Sequence, residues 1–126
     1  MDFKMMFRAI KSYHDELGHN MADGSLDQRM QSMRNSALAL VIELAELVDS
    51  TPWKPWRSVK DQTFDKDNAV REAIDILFFL VSICEELHIT PTELEKKFEE
   101  VMTNNFARLD SGYSKKGGDN NAKKKS

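Results

Sequence analysis

Cysteine, glycine and proline are all scarce in this chain of 126 residues, which has one cysteine, five glycines and three prolines. A lone cysteine excludes an intrachain disulfide, so we interpret Cys84, inside an apolar run, as a small core residue of a reducing compartment. Helix breakers are few, and no useful run alternates apolar with polar residues. These absences argue against a β-rich fold and favour an all-α one.

The chain also lacks a strong excess of charge and a long apolar segment. Its net charge of -3 provides no field that would attract nucleic acid or an anionic membrane. No stretch reaches the roughly 18 uninterrupted apolar residues of a membrane span. The start, Met1-Asp-Phe-Lys, has neither the basic nor the apolar region of a signal peptide. We therefore expect a soluble, cytoplasmic protein without nucleic acid or membrane partners.

Apolar residues recur at helical spacing in four segments, which predict helices over 2–17, about 25–49, about 67–87 and about 91–109. Gly18 is typical of a helix end. Ser25, with Gln28 three residues later, favours a capping box at the start of the second helix. Thr90, Pro91 and Glu93 predict a capped start for the fourth helix. The expected fold is an all-α bundle of four to five helices.

The third helix is apolar around nearly its whole circumference between Ile74 and Cys84. A helix with this pattern is buried on all sides. In so small a chain, this indicates that a second subunit covers one side and that oligomerisation completes the bundle. We expect one domain over residues 1–113. Residues 114–126 form a polar basic tail, which is expected to be disordered.

Two short acidic pairs lie within these helices: Glu43 with Glu46, and Glu72 with Asp75. Spacing of three residues puts both carboxylates of a pair on one helix face, about one turn apart, where like charges repel. Both pairs adjoin apolar runs, and carboxylates near a core are usually paired or bound to metal. Oxygen-only ligands favour a hard cation, Mg²⁺ before Mn²⁺ or Ca²⁺. The alternative is two solvated acidic faces.

Residues 50–57, Ser-Thr-Pro-Trp-Lys-Pro-Trp-Arg, follow the first acidic pair. The two prolines forbid continuation of the helix and stiffen the segment. Trp53 could fasten this loop to the body of the protein or line a pocket. Lys54 and Arg57 give the loop positive charge. A hydrophobic latch with solvated cations and a functional cationic loop are compatible interpretations.

These features resemble the all-α nucleoside triphosphate pyrophosphohydrolases, a superfamily that includes MazG-like proteins and dimeric dUTPases. Glu-x-x-Glu and Glu-x-x-Asp stand on successive helices, at positions 43–46 and 72–75. Residues 53–57 resemble the Trp-Lys-x-Trp-Lys/Arg segment of the dimeric dUTPase and phage MazG-like branch. Residues 105–113, Asn-Phe-Ala-Arg-Leu-Asp-Ser-Gly-Tyr, resemble its Asn-x-x-Arg followed by Gly-Tyr. The resemblance covers most of residues 40–113.

The resemblance implies that a nucleoside triphosphate is cleaved between the α and β phosphates, giving a monophosphate and pyrophosphate. Mg²⁺, with Mn²⁺ as a substitute, would be held by four carboxylates: Glu43, Glu46, Glu72 and Asp75. Glu43 or Glu46 would also be catalytic, orienting or deprotonating the attacking water. The phosphate-binding residues would be Lys54, Arg57, Asn105, Arg108 and Tyr113. The base would lie near His14, Asn20 and Trp53, and the protein would be a homodimer or homotetramer.

Departures from the family pattern leave the substrate open. Val101 stands where dimeric dUTPases have a lysine, and His14 and Ser36 stand near the positions of their uracil-side residues. A deoxynucleotide is favoured by the resemblance, with dUTP or dCTP and a dGTP-type purine both compatible with it. The sequence is also compatible with a phosphoribosyl-ATP-type pyrophosphohydrolase and with a non-catalytic helical interaction module.

Overall fold

The computed structural model describes residues 1–18 and 22–112. Within these ranges the chain forms four α-helices, one 3₁₀ turn at Val59–Asp61 and no strand. The helices are α1 (Phe3–Leu17), α2 (Leu26–Asp49), α3 (Lys66–Glu86) and α4 (Pro91–Asp110). The all-α prediction is confirmed, and each helix boundary agrees with its predicted position to within about a residue.

The helix ends are formed by the local signals that the sequence carries. Gly18 ends α1 with φ 72°, a left-handed conformation that suits glycine. At α2 the Ser25 hydroxyl accepts from the Gln28 backbone N–H, and the Gln28 side chain accepts from the Ser25 N–H, which completes the predicted capping box. The Asp65 carboxylate caps α3 by accepting from the backbone N–H of Asn68.

The chain divides into two compact units, one from Met1 to Thr90 and one that begins at Pro91. In the first unit, α3 packs against both α1 and α2. Its buried apolar residues are Phe7 and Ile10 of α1 and Val81 and Cys84 of α3. Cys84 is a core residue, as predicted, and burial raises the pKa of its thiol. The second unit consists, in its described part, of α4 and the turn after it.

Within a single chain α3 is not buried on all sides. Ile74 and Leu80 remain 46% and 44% exposed, and on α2 Leu38 and Val41 remain 63% and 58% exposed. The expectation that a second subunit covers one side of α3 therefore stays a prediction. None of the helices in the described ranges combines the length and the apolar character needed to cross a membrane.

Candidate active site

Three of the four predicted metal ligands lie together between α2 and α3. Glu43 and Glu46 are one turn apart on α2, and Glu72 comes from α3. One carboxylate oxygen from each of the three lies within 4.8 Å of the others. The pairing of the two helices therefore brings three carboxyl groups to one point, and their role as metal ligands stays a prediction.

The electrostatics of this carboxylate cluster show that its charges are not compensated. Contact with Glu72, and next with Glu46, raises the pKa of Glu43 to about 8, with burial contributing further. Like charges at such distances prevent full ionisation, so the metal-free cluster holds a proton near neutral pH. Glu43 Oε2 and Glu72 Oε2 are buried and have no hydrogen-bond partner within the described part of the chain. Orphaned carboxylate oxygens are what a cation would satisfy, and an all-oxygen donor set suits Mg²⁺ or Mn²⁺.

Asp75 lies outside this group of three. It follows Glu72 by one turn of α3, and its side chain is exposed. Its role as a fourth ligand stays a prediction.

A buried serine joins the two helices that carry the cluster. Ser50, only 5% exposed, ends α2. Its hydroxyl accepts a hydrogen bond of 2.8 Å from Asn68 Nδ2 and donates to the backbone oxygen of Glu46 at 3.3 Å. Its carbonyl accepts from the backbone N–H of Asp65 at 2.8 Å. Sequence reasoning missed Ser50 and Asn68, since small polar residues near helix ends are normally assigned to capping.

The loop after α2 presents its tryptophans and cations at the surface. Trp53 and Trp56 are 42% and 70% exposed, and their rings meet edge to face with centroids 5.5 Å apart. The Trp53 indole N–H donates to Asp49 Oδ1 at 3.0 Å. The loop is therefore fastened to α2 by a polar contact rather than by tryptophans inserted into a core. A cleft of 390 Å³ adjoins it, and its lining includes Trp53, Lys54 and Arg57.

His14 is buried rather than free to contact a ligand at the surface. It is 8% exposed, and its Nδ1 is hydrogen-bonded to Glu85 Oε1 at 2.8 Å. Its ring meets Phe78 edge to face, and Tyr13 lies beside both. Contact between His14 and a base stays a prediction.

Two buried carboxylates, Glu85 and Glu86, were not singled out from the sequence. Glu86 is 4% exposed and accepts hydrogen bonds from the hydroxyls of Ser32 and Ser36 on α2. Both residues directly follow Cys84 at the end of the apolar run, and the helical pattern continues through them. The sequence therefore did indicate that these two carboxylates could be buried.

The remaining predicted residues fall in the second unit or outside the described residues. Asn105 and Arg108 lie one turn apart near the end of α4, and both are exposed. Asn20 and Tyr113 are outside the described ranges. The phosphate and base roles of these four residues stay predictions.

Comparison with known proteins supports one family. A family model described as dUTPase matches residues 6–109, which span α1 to α4. Comparisons with curated proteins and with solved structures found no significant match. Since the family model covers well over half of the sequence, the chain belongs to this dUTPase family, a helical family of the all-α nucleoside triphosphate pyrophosphatase type.

Proposed function

We propose that the protein is a Mg²⁺-dependent nucleoside triphosphate pyrophosphohydrolase that converts a deoxynucleoside triphosphate to the monophosphate and pyrophosphate. The observation that carries the proposal is the cluster of Glu43, Glu46 and Glu72, in which Glu43 Oε2 and Glu72 Oε2 are buried without a hydrogen-bond partner among the described residues. The neighbouring carboxylates also raise the pKa of Glu43. The family supports a nucleotide as the substrate. A triphosphate is itself strongly negative, so an acidic cluster can accept it only together with cations.

The metal would be held by Glu43, Glu46 and Glu72, with Asp75 as the proposed fourth ligand. When bound, a divalent cation neutralises phosphate charge and lowers the pKa of water. Binding of a cation would displace the proton that the raised pKa of Glu43 retains near neutral pH, because ligand carboxylates must be deprotonated.

The carboxylates proposed to act on water are those of α2, which would also be metal ligands. Glu43 or Glu46 orients the water and accepts its proton. The water oxygen attacks the α phosphorus, the bond from that phosphorus to the bridging oxygen breaks, and pyrophosphate leaves. Lys54, Arg57, Asn105, Arg108 and Tyr113 are the proposed partners of the phosphates.

The test is pyrophosphate release from all canonical ribo- and deoxynucleoside triphosphates and dUTP, with and without Mg²⁺. Strong Mg²⁺-dependent release from one or two deoxynucleotides is expected and would identify the base. Weak release from every substrate would indicate a broad house-cleaning enzyme. Mg²⁺ binding without release from any of them would overturn the proposed substrate class and direct the assay to phosphoribosyl-ATP-type metabolites. If the protein neither releases pyrophosphate nor binds metal, a helical interaction module becomes the better account.

A further inference from the structure

The side-chain amide of Gln62 contacts four backbone groups of the loop that carries Lys54 and Arg57. Its Oε1 accepts from the Lys54 N–H at 3.0 Å. Its Nε2 lies 3.0 Å from the Lys54 carbonyl, 3.2 Å from that of Arg57 and 3.3 Å from that of Ser58, and it donates to this group of oxygens. One half-buried side chain therefore holds backbone groups on both sides of the Pro55–Trp56 turn.

These contacts determine where the two cations of the loop stand. Both backbone groups of Lys54 and the carbonyl of Arg57 are fixed by Gln62, while the Arg57 guanidinium donates to the Asp61 carbonyl at 3.1 Å. Without Gln62 these loop polar groups would turn to water, and the loop would sample many positions. Order present before the ligand arrives lowers the entropic cost of binding.

The cleft beside this loop has the chemistry of an anion site. Its 390 Å³ are lined by Lys54, Arg57 and Gln62 and by the hydroxyl-bearing Thr51 and Thr63. Two carboxylates also line it: Asp49, which accepts from the Trp53 indole, and Asp61, which is exposed. The Thr51 hydroxyl already donates to the Val48 carbonyl at 2.6 Å. The cationic pair beside the Thr63 hydroxyl suits a phosphate chain whose charge is shared with a divalent cation.

We infer that Gln62 is a positioning residue that holds Lys54 and Arg57 ready for the pyrophosphate part of the substrate, so that the cleft binds inorganic pyrophosphate without a nucleoside. The inference rests on the proposed function for the identity of the anion. It concerns pyrophosphate affinity, and this can be measured without turnover.

The experiment is calorimetric titration of the full chain with pyrophosphate in the presence of Mg²⁺. Gln62→Met keeps the length of the side chain and removes its polar contacts with the loop, and we expect it to weaken pyrophosphate binding about tenfold. Gln31→Met is the matched control, because Gln31 also makes side-chain hydrogen bonds but lies exposed on α2. Pyrophosphate binding by Gln31→Met should equal that of wild type. Mg²⁺ affinity alone should be unchanged in both variants.

A double-variant cycle separates positioning from general damage. If Gln62 acts through the cations, Gln62→Met should cost much less in a Lys54→Met background than in wild type. Additive losses, or unchanged pyrophosphate binding by a folded Gln62→Met, would overturn the inference. If Gln62→Met does not fold, hydrogen exchange of the Lys54 amide in the unliganded wild type tests whether the loop is ordered before the ligand binds. Protection there is expected, and rapid exchange would contradict an ordered loop.

The two proposals fail differently. Wild-type protein that does not bind pyrophosphate would overturn the inference about the cleft. Protein that binds pyrophosphate in a Gln62-dependent manner but hydrolyses no nucleoside triphosphate would overturn the proposed function alone.

Discussion

The side chain of Asn68 donates a 2.8 Å hydrogen bond to the hydroxyl of Ser50 and thereby joins the start of α3 to the end of α2. Asn68 precedes Glu72 by one turn, and Ser50 follows Glu46 by one turn and donates to its carbonyl. The contact therefore sets the register of the two helices next to the carboxylate cluster. Its effect should be visible in metal binding as well as in stability.

Asn68→Ala should weaken Mg²⁺ binding by about five- to tenfold and lower the free energy of unfolding by about 1 kcal/mol, since it removes one partly buried hydrogen bond and loosens the helix register. Titration calorimetry and urea unfolding measure the two effects. Asn35→Ala is the matched control, because Asn35 is exposed on α2 and bonds only within its own helix among the contacts described. Wild-type Mg²⁺ affinity in Asn68→Ala would show that the register does not depend on this contact.

Glu46→Gln should abolish turnover, with a loss of about 10²-fold or more, and leave the helical fold intact, because it replaces a charged ligand by a neutral amide of the same shape. Circular dichroism checks the fold, and pyrophosphate release checks turnover. Activity that survives this change would remove the cluster from the catalytic site.

Asp75→Asn is expected to have the same effect, and it tests the residue that the structure leaves outside the group of three. The matched control is Asp67→Asn, also on α3, where Asp67 forms an exposed ion pair with Arg71. Full activity in Asp75→Asn would restrict the ligands to the glutamates and leave the rest of the proposal standing.

The sequence was sufficient to predict those parts of the structure that depend only on neighbouring residues in the chain. Helix ends followed from Gly18, Ser25 and Pro91, since caps and breakers act within a few residues. Helical spacing placed Glu43 and Glu46 at the edge of the apolar stripe of α2, whereas their meeting with Glu72 was expected only from the family resemblance. Contacts between residues far apart in the chain, such as that of His14 with Glu85, depend on tertiary packing and leave no local pattern.

Loops were the least predictable part of the site. The two tryptophans suggested an apolar anchor, but their rings stay exposed and contact each other. The organising residue is Gln62, whose bonds cross four to eight positions of irregular chain. Single polar residues in such segments have no periodicity that would mark them as structural.

The metal-free protein should lose stability as the pH rises from about 4.5 to about 8. The pKa of Glu43 rises from its ordinary value of 4.5 to about 8 on folding, so the folded state binds the extra proton in this window. The stability that the protonated Glu43 provides to the folded state is fully present below pH 4.5 and is lost as the pH passes 8. Thermal unfolding of chelator-treated protein across this range measures it.

Two controls identify the source of this pH dependence. Glu43→Gln, which cannot ionise, should flatten the profile, and saturating Mg²⁺ should remove the loss by stabilising the ionised carboxylates. A profile that is the same for wild type and Glu43→Gln would assign the pH dependence to other groups.

The pair formed by His14 and Glu85 predicts a strongly non-additive effect on stability. Both residues are more than nine-tenths buried, and Glu85 Oε2 has no hydrogen-bond partner among the described residues. His14→Leu would leave the carboxylate of Glu85 buried without its histidine, so the free energy of unfolding should fall by about 3 kcal/mol. The double variant His14→Leu with Glu85→Leu should recover most of this loss, because a buried pair can be replaced by apolar side chains at little cost.

Urea unfolding of the four proteins of this cycle gives the coupling free energy directly. Lys11→Ala is the control, since its exposed pair with Asp15 should contribute less than about 1 kcal/mol. A loss below that value in His14→Leu would contradict a structural role for the pair. The stable double variant then tests the predicted base contact: with the fold retained, a raised KM at unchanged kcat would place His14 beside the substrate, and unchanged kinetics would confine it to the core.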